Sequence, residues 1–143
     1  MKNYVFLFIA LFIGSYLHAQ SASDVVSNDE HKVVMQLTSA DTTVHKVLVK
    51  QLGNLLAAAP NSKIEVVCHS AGLDILRTKL TVVYPKLKEL NGKGVKFVAC
   101  ENTLKERKIS KEEIIPESGY VKAGILEVIM KQEEGWSYIR AGQ

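Results

Sequence analysis

Short apolar runs alternate with amphipathic helical patterns along most of this chain. The clearest runs are residues 33–37, 64–68 and 95–99, which are rich in β-branched side chains and shorter than a core helix. Apolar residues at helical spacing follow the first run over residues 44–56. Strands that alternate with helices form a parallel sheet with helices on both faces. The pattern therefore predicts an α/β fold of three layers, α/β/α, with a mostly parallel five-stranded sheet of flavodoxin-like type.

Weaker patterns complete the predicted sheet. Residues 120–122 indicate a fourth strand, and an alternating run over residues 136–140 indicates the last one. Between them, apolar residues 125–129 follow a helical pattern that ends before Gly135. Ser110 and Glu113 have the spacing of a capping box at a helix start.

The first 19 residues have the layout of a secretory signal peptide. Lys2 precedes an uninterrupted apolar run over residues 4–13, and Ala19 offers a small residue for cleavage. Extended to residue 17, the segment is roughly 21 Å of helix, too short for a hydrocarbon core of about 30 Å. We expect cleavage after Ala19 and an exported protein with no stable membrane anchor, periplasmic in a double-membraned bacterium. Polar residues 20–31 are expected to form a disordered leader, and residues 32–142 one domain.

Charge and ligand composition exclude several functional classes. A formal net charge of +3 gives no reason to expect a nucleic-acid partner. The two cysteines and four histidines lack the close paired spacing of zinc sites, so neither a metal nor another cofactor is expected.

Polar residues follow three of the predicted strands. Ligands of open α/β sheets bind beyond the carboxyl ends of the strands, so these residues are the candidates for lining a cleft. They are Thr38, Ser39, His69, Ser70, Gly72, Glu101, Asn102 and Thr103, together with Cys100 as the candidate reactive group.

The segment from Cys68 to Gly72 resembles the nucleophile elbow G-x-S-x-G, since it follows a strand and contains Ser70 at the centre. That family of hydrolases needs an acid and then a histidine after the serine in the chain. No histidine follows Ser70, so the sequence argues against a hydrolase.

The two cysteines differ in their predicted surroundings. In a flavodoxin-like strand order 2-1-3-4-5, Cys68 and Cys100 lie two strand spacings apart, roughly 9.6 Å, which is too far for a disulfide. The same order places Thr38 and Ser39 about 4.8 Å from Cys100, and His69 two spacings away. Cys68 lies in an apolar run and is expected to be buried. Cys100 precedes a helix start, where either a reactive thiolate or a structural thiol is consistent with its position.

Several segments together resemble a known family. The run 94–104 contains a strand followed by Cys-x-Asn-Thr-Leu, and segments 114–116, 123–125 and 135–140 follow at matching positions. Over residues 32–142 the chain resembles the DsrE/DsrF-like family, in its YchN-type branch. The resemblance implies a DsrE-like α/β/α fold, a trimer or hexamer, and, as in sulfur-relay members, a persulfide carried by the cysteine after the third strand, here Cys100.

Two functions follow from this resemblance. The leading one is a thiol or persulfide role at Cys100, with a sulfur-carrier protein or a small ligand as partner; the alternative is a non-catalytic oligomeric or small-ligand binding module. Two departures from the sulfur-relay members bear on the choice: the export signal, and YchN-type residues after Cys100. Because the last strand is a predicted sheet edge with large apolar side chains, Trp136 and Tyr138 are expected to be partly buried in the fold or in a homo-oligomer interface.

Overall fold

The computed structural model describes residues 26–142, which form one parallel sheet and the helices around it. The strands are β1 (Lys32–Leu37), β2 (Lys63–Cys68), β3 (Lys96–Cys100), β4 (Ser118–Val121) and β5 (Ser137–Arg140). The α-helices are α1 (Thr42–Ala58), α2 (Tyr84–Gly92), α3 (Glu101–Glu106) and α4 (Gly124–Glu133), and short 3₁₀ helices span Ser70–Leu76 and Lys111–Glu113. The predicted signal peptide and its cleavage site lie outside the described residues.

The fold class agrees with the sequence prediction, but the strand order does not. The order is β4-β3-β2-β1-β5, with every neighbouring pair parallel. In the flavodoxin-like order β1 would separate β2 from β3; here β2 pairs directly with β3. The first three connections join neighbouring strands, and the last returns across the whole sheet to the outer side of β1. The crossovers from β1 to β4 run in one direction along the sheet, and the crossover from β4 to β5 runs in the other. Because each crossover is right-handed, this reversal places α4 on the face opposite to α1, α2 and α3.

The larger core lies on the face covered by α1, α2 and α3. Leu48 and Leu52 of α1 and Leu87 of α2 are fully buried against the sheet around Phe97. The Asp41 side chain caps α1 by accepting a hydrogen bond from the backbone N–H of Thr43 at 2.7 Å. Burial of these side chains supplies most of the driving force for folding.

The second face has a smaller core. Val34, Val67 and Val98, from three adjacent strands, pack under Val128 of α4. A group of apolar side chains on the outer side of this helix remains exposed: Ile125, Leu126, Ile129 and Met130. On the same face Tyr138 of β5 is 41% exposed, whereas Trp136 is half-buried. Ile139, which is 42% exposed, points to the other face of the sheet. The protomer alone therefore buries Trp136 as expected but leaves Tyr138 accessible.

Two segments bear on the sequence expectations. Of the expected leader over residues 20–31, residues 20–25 lie outside the described part of the chain, and residues 26–31 contain no helix or strand. Ser27 donates its N–H to the carbonyl of Ala58, at the end of α1, at 2.7 Å, and Glu30 pairs with Lys63, at the start of β2, at 2.9 Å. The helical pattern after Gly72 forms a 3₁₀ helix that ends at Leu76, before α2. Within residues 26–142, no helix combines the length and apolar character that crossing a membrane requires.

Candidate functional site

A cavity of about 250 Å³ opens at the carboxyl ends of β2 and β3, beside the start of α4. It is lined by residues from these strand ends, from α3 and from the start of α4: His69, Ser70, Cys100, Asn102, Thr103, Glu106, Ala123, Gly124 and Ile125. Five of the residues predicted from the strand ends therefore meet in one place: His69, Ser70, Cys100, Asn102 and Thr103.

Cys100 is the last residue of β3 and lies at the wall of this cavity, with 4% of its surface exposed. The backbone N–H of Gly124 donates a hydrogen bond to its Sγ at 3.2 Å. Burial raises the pKa of the Cys100 thiol, but the hydroxyl and N–H of Thr103 and the N–H groups of Gly124 and Asn102 outweigh it and hold the pKa below its usual value. The surroundings of Cys100 therefore favour its thiolate.

Cys68 has the opposite character. It is fully buried, and burial alone raises the pKa of its thiol. Cys68 is in register with Ala99, so its side chain and that of Cys100 point to opposite faces of the sheet. Both thiols are free. The expectation that they do not bridge agrees with the structure, but the reason is orientation across adjacent strands rather than two strand spacings.

His69 lies one strand from Cys100, not two as the predicted strand order implied. Its Nε2 is 2.8 Å from the amide Nε2 of Gln36, and its Nδ1 is 3.0 Å from Oγ of Ser70. An amide nitrogen can only donate, so Nε2 of His69 accepts and Nδ1 carries the proton and donates to Ser70. Burial lowers the pKa of His69, which favours this neutral form. The Gln36 amide is oriented in turn by Tyr138, whose hydroxyl donates to its Oε1.

Ser70 has a left-handed backbone conformation, with φ of +52°. Its N–H donates to Oγ1 of Thr103 at 3.0 Å, and its carbonyl accepts from Nη1 of Arg107 at 3.0 Å. Its hydroxyl accepts a hydrogen bond from the Nδ1–H of His69, so His69 does not act as a base for it. The serine of the elbow-like segment is therefore held as a structural link between β2 and α3.

Four predicted cleft residues lie outside the cavity lining. Thr38 and Ser39 follow β1, which is two strands from β3, and Ser39 instead binds the start of α1 by accepting from the N–H of Asp41 at 3.1 Å. Gly72 allows the 3₁₀ helix to approach β1, because a Cβ there would collide with the carbonyl of Leu37. Glu101 pairs with Lys111 at 2.6 Å. The error in strand order explains the misplacement of Thr38 and Ser39.

The sequence reasoning missed the contribution of α4. Ala123, Gly124 and Ile125 line the cavity because the last crossover begins directly above β3, and Glu106 reaches it from α3. Gln36 was missed as well, although a polar residue within the apolar run of β1 was a usable signal. A Cβ at Gly124 would lie 3.0 Å from Cβ of His69 and 3.2 Å from its ring atoms, so the glycine permits close packing of α4 on that ring.

Among residues 26–142, no group of three or more histidine, cysteine, aspartate or glutamate side chains is arranged to hold a metal ion. The cavity therefore offers one thiol, hydrogen-bond donors around its sulfur, and a neutral histidine with both ring nitrogens engaged.

Comparison with known proteins agrees with this architecture. A structure described as a protein of unknown function, MTH1491 from Methanobacterium thermoautotrophicum, is 32% identical in sequence, with a TM-score of 0.74 over 77% of this chain and 98% of its own. A search of curated proteins found no match. The profile of the DsrE/DsrF-like family matches residues 31–141, which is most of the chain and contains every residue of the cavity. The chain therefore belongs to the DsrE/DsrF-like family.

Proposed function

We propose that this protein handles sulfur through a persulfide formed on Cys100. The observation that carries the proposal is the environment of Cys100. Its sulfur lies at a cavity wall and accepts a hydrogen bond from the N–H of Gly124, and polar groups around it hold the pKa of the thiol below its usual value. The thiolate is the reactive form of cysteine. Membership of the DsrE/DsrF-like family supports a role of the sulfur-relay type.

The proposed step is transfer of one sulfane sulfur from a donor persulfide, R–S–SH. The Cys100 thiolate attacks the outer sulfur of the donor, a new S–S bond forms, and the donor leaves as the thiolate R–S⁻. The product is Cys100–S–SH, and no external oxidant or reductant is needed. A cavity of about 250 Å³ accommodates the transferred sulfur and the end of the donor group. A sulfur-carrier protein is the proposed acceptor.

Native thiol labelling and intact mass test this function. The comparison uses wild type, Cys68→Ala and Cys100→Ser; alanine is chosen because Cys68 is fully buried among apolar side chains. With a small persulfide as donor, wild type and Cys68→Ala should gain about 32 Da that reductant removes, and Cys100→Ser should not. If Cys100 is alkylated only after unfolding, the persulfide role is wrong and the non-catalytic small-ligand binding module takes its place.

We also propose that the protein belongs to the YchN-type branch of the family and that it is exported. The motifs after β3 and in the last strand support the YchN-type branch, and residues 1–19 support export to the periplasm. Fractionation followed by N-terminal analysis should find a chain that begins at Gln20. A cytoplasmic protein that retains residues 1–19 would contradict export.

We further propose a homo-oligomer, a trimer or hexamer. The support is the group of exposed apolar side chains on α4 and β5. Single exposed apolar residues are normal on a monomer, whereas a group of neighbouring ones marks an interaction surface.

A further inference from the structure

We propose that His69 is a positioning residue that aligns two hydrogen-bond donors, Thr103 and Gly124, on the sulfur of Cys100. This inference rests on the proposed thiol function and assigns a role to a residue that the sulfur-transfer step itself does not use.

The first link runs through Ser70. Nδ1 of His69 donates to the Ser70 hydroxyl at 3.0 Å, while Arg107 holds the Ser70 carbonyl at 3.0 Å. These contacts hold a left-handed conformation, with φ of +52°, that a residue with a Cβ rarely adopts. In that conformation the Ser70 N–H donates to Oγ1 of Thr103 at 3.0 Å. This contact fixes the position of the Thr103 hydroxyl, and that hydroxyl lowers the pKa of the Cys100 thiol.

The second link is a packing contact. The ring of His69 fills the space beside Gly124, where a Cβ would lie 3.2 Å from the ring atoms Cγ and Cδ2. The N–H of the same glycine is 3.2 Å from Sγ of Cys100. The imidazole therefore sets how closely the start of α4 approaches the thiol.

The histidine does not serve as the base that deprotonates Cys100. Its Nε2 accepts from Gln36 and its Nδ1 donates to Ser70, so both ring nitrogens are engaged. Gln36 is fixed by the hydroxyl of Tyr138, which selects the Nδ1-protonated tautomer. A line of donors thus runs from Tyr138 on the outer strand to Ser70, and each donor orients the next. Glu106 is the charged side chain that shares the cavity with Cys100, and it is unchanged in every variant below.

The experiment measures the pH dependence of Cys100 alkylation in folded Cys68→Ala protein. Thr103→Val removes the hydroxyl while keeping the side-chain shape, and His69→Gln removes the donor to Ser70. His69→Asn is the matched control, because its amide nitrogen occupies the position of Nδ1 and retains that donor. Thr103→Val and His69→Gln should each raise the alkylation midpoint by about one pH unit, whereas His69→Asn should remain near the parent value.

The outcomes separate the two proposals. If the alkylation midpoint of Thr103→Val is unchanged, or if the two His69 variants have equal midpoints, the positioning role is wrong. A parent protein with a low alkylation midpoint would still support the proposed thiol chemistry. A parent protein whose Cys100 does not react until it unfolds overturns the proposed function itself. If His69→Gln does not fold, Ser70→Ala takes its place: it removes the hydroxyl to which His69 donates and should also raise the midpoint, whereas an unchanged midpoint overturns the positioning role.

Discussion

Ser70 joins two parts of the site at the cost of an unfavourable backbone conformation. A left-handed φ of +52° costs a non-glycine residue roughly 1 to 2 kcal/mol, whereas glycine adopts it freely. Ser70→Ala keeps this strain and loses the hydroxyl contact with His69; Ser70→Gly loses the same contact but relieves the strain. We expect the glycine variant to be more stable than the alanine variant by ~0.5 to 1 kcal/mol in urea unfolding. Equal stability would mean that the Ser70 conformation is not strained.

His69 gives the site a predictable response to acid. Burial lowers the pKa of His69 below its unfolded value of 6.5, so the folded chain binds fewer protons than the unfolded chain near that pH. The stability associated with neutral His69 is complete above pH 6.5 and is lost as the pH falls below it. Protonation also removes the acceptor that Gln36 binds. Because His69→Asn does not titrate, urea unfolding at pH 7.5 and 5.5 should show wild type losing more stability than this variant.

At the residue scale, the sequence identified the thiol that lines the cavity but not all of its partners. Cys100, Asn102 and Thr103 are neighbours in the chain, so a strand-end motif placed them together. Gln36 and Gly124 reach the site from distant segments, and only the strand order and the direction of the last crossover bring them there.

Helix α4 is attached to the sheet by a charged cluster as well as by Val128. Glu65 of β2 has only 5% of its side chain exposed and lies 3.6 Å from the ammonium of Lys131, which also stands 3.6 Å from Glu127 and 4.8 Å above the Trp136 ring. Lys96 is in register with Glu65 on β3. Burial raises the pKa of Glu65, Lys131 lowers it, and Glu127 raises it again; the net direction is upward.

Neutralising Glu65 should therefore stabilise the protein at neutral pH. A carboxyl group whose folded pKa is raised costs stability as the pH rises from about 4.5 through the folded pKa. Glu65→Gln removes this cost and keeps the side-chain shape, so we expect a higher free energy of unfolding than wild type at pH 7 and no gain at pH 4. Glu133→Gln, which neutralises an exposed carboxylate at the end of α4, is the control. A lower stability of Glu65→Gln at pH 7 would show that the Lys131 attraction outweighs burial.

At the scale of the whole molecule, the element types followed from local patterns, whereas their arrangement did not. The apolar runs fixed the positions of β1, β2 and β3 to within a residue or two, because each is buried on both faces. Strand order depends on which strand edges pair, and nothing within β2 or β5 specifies the neighbour. The pairing of β5 with β1 leaves β2 between β1 and β3, which brings His69 beside Cys100 and moves Thr38 and Ser39 away.

The apolar side chains on the outer side of α4 are not covered by any other part of the described protomer. Ile125, Leu126, Ile129 and Met130 are each 45% to 54% exposed and lie on one side of the helix. The exposed Tyr138 of β5 lies on the same face of the sheet, because it is in register with Val34, which packs under α4. Covering such a contiguous surface with a second copy removes apolar area from water at about 25 cal/mol per Å². A charge placed at its centre would have to be buried without a partner, which is strongly unfavourable.

Ile129→Lys should therefore dissociate the assembly, and light scattering at micromolar concentration should show wild type as an oligomer and this variant as a monomer. Val47→Lys is the matched control: Val47 is also an exposed apolar residue, at 39%, but it lies on α1, on the opposite face of the sheet. It should leave the assembly intact, since a lysine there remains in water. Circular dichroism checks that both variants are folded, because a surface substitution that leaves the core untouched changes stability little. A wild-type monomer, or an Ile129→Lys protein that keeps the wild-type mass, would show that this surface does not hold the copies together.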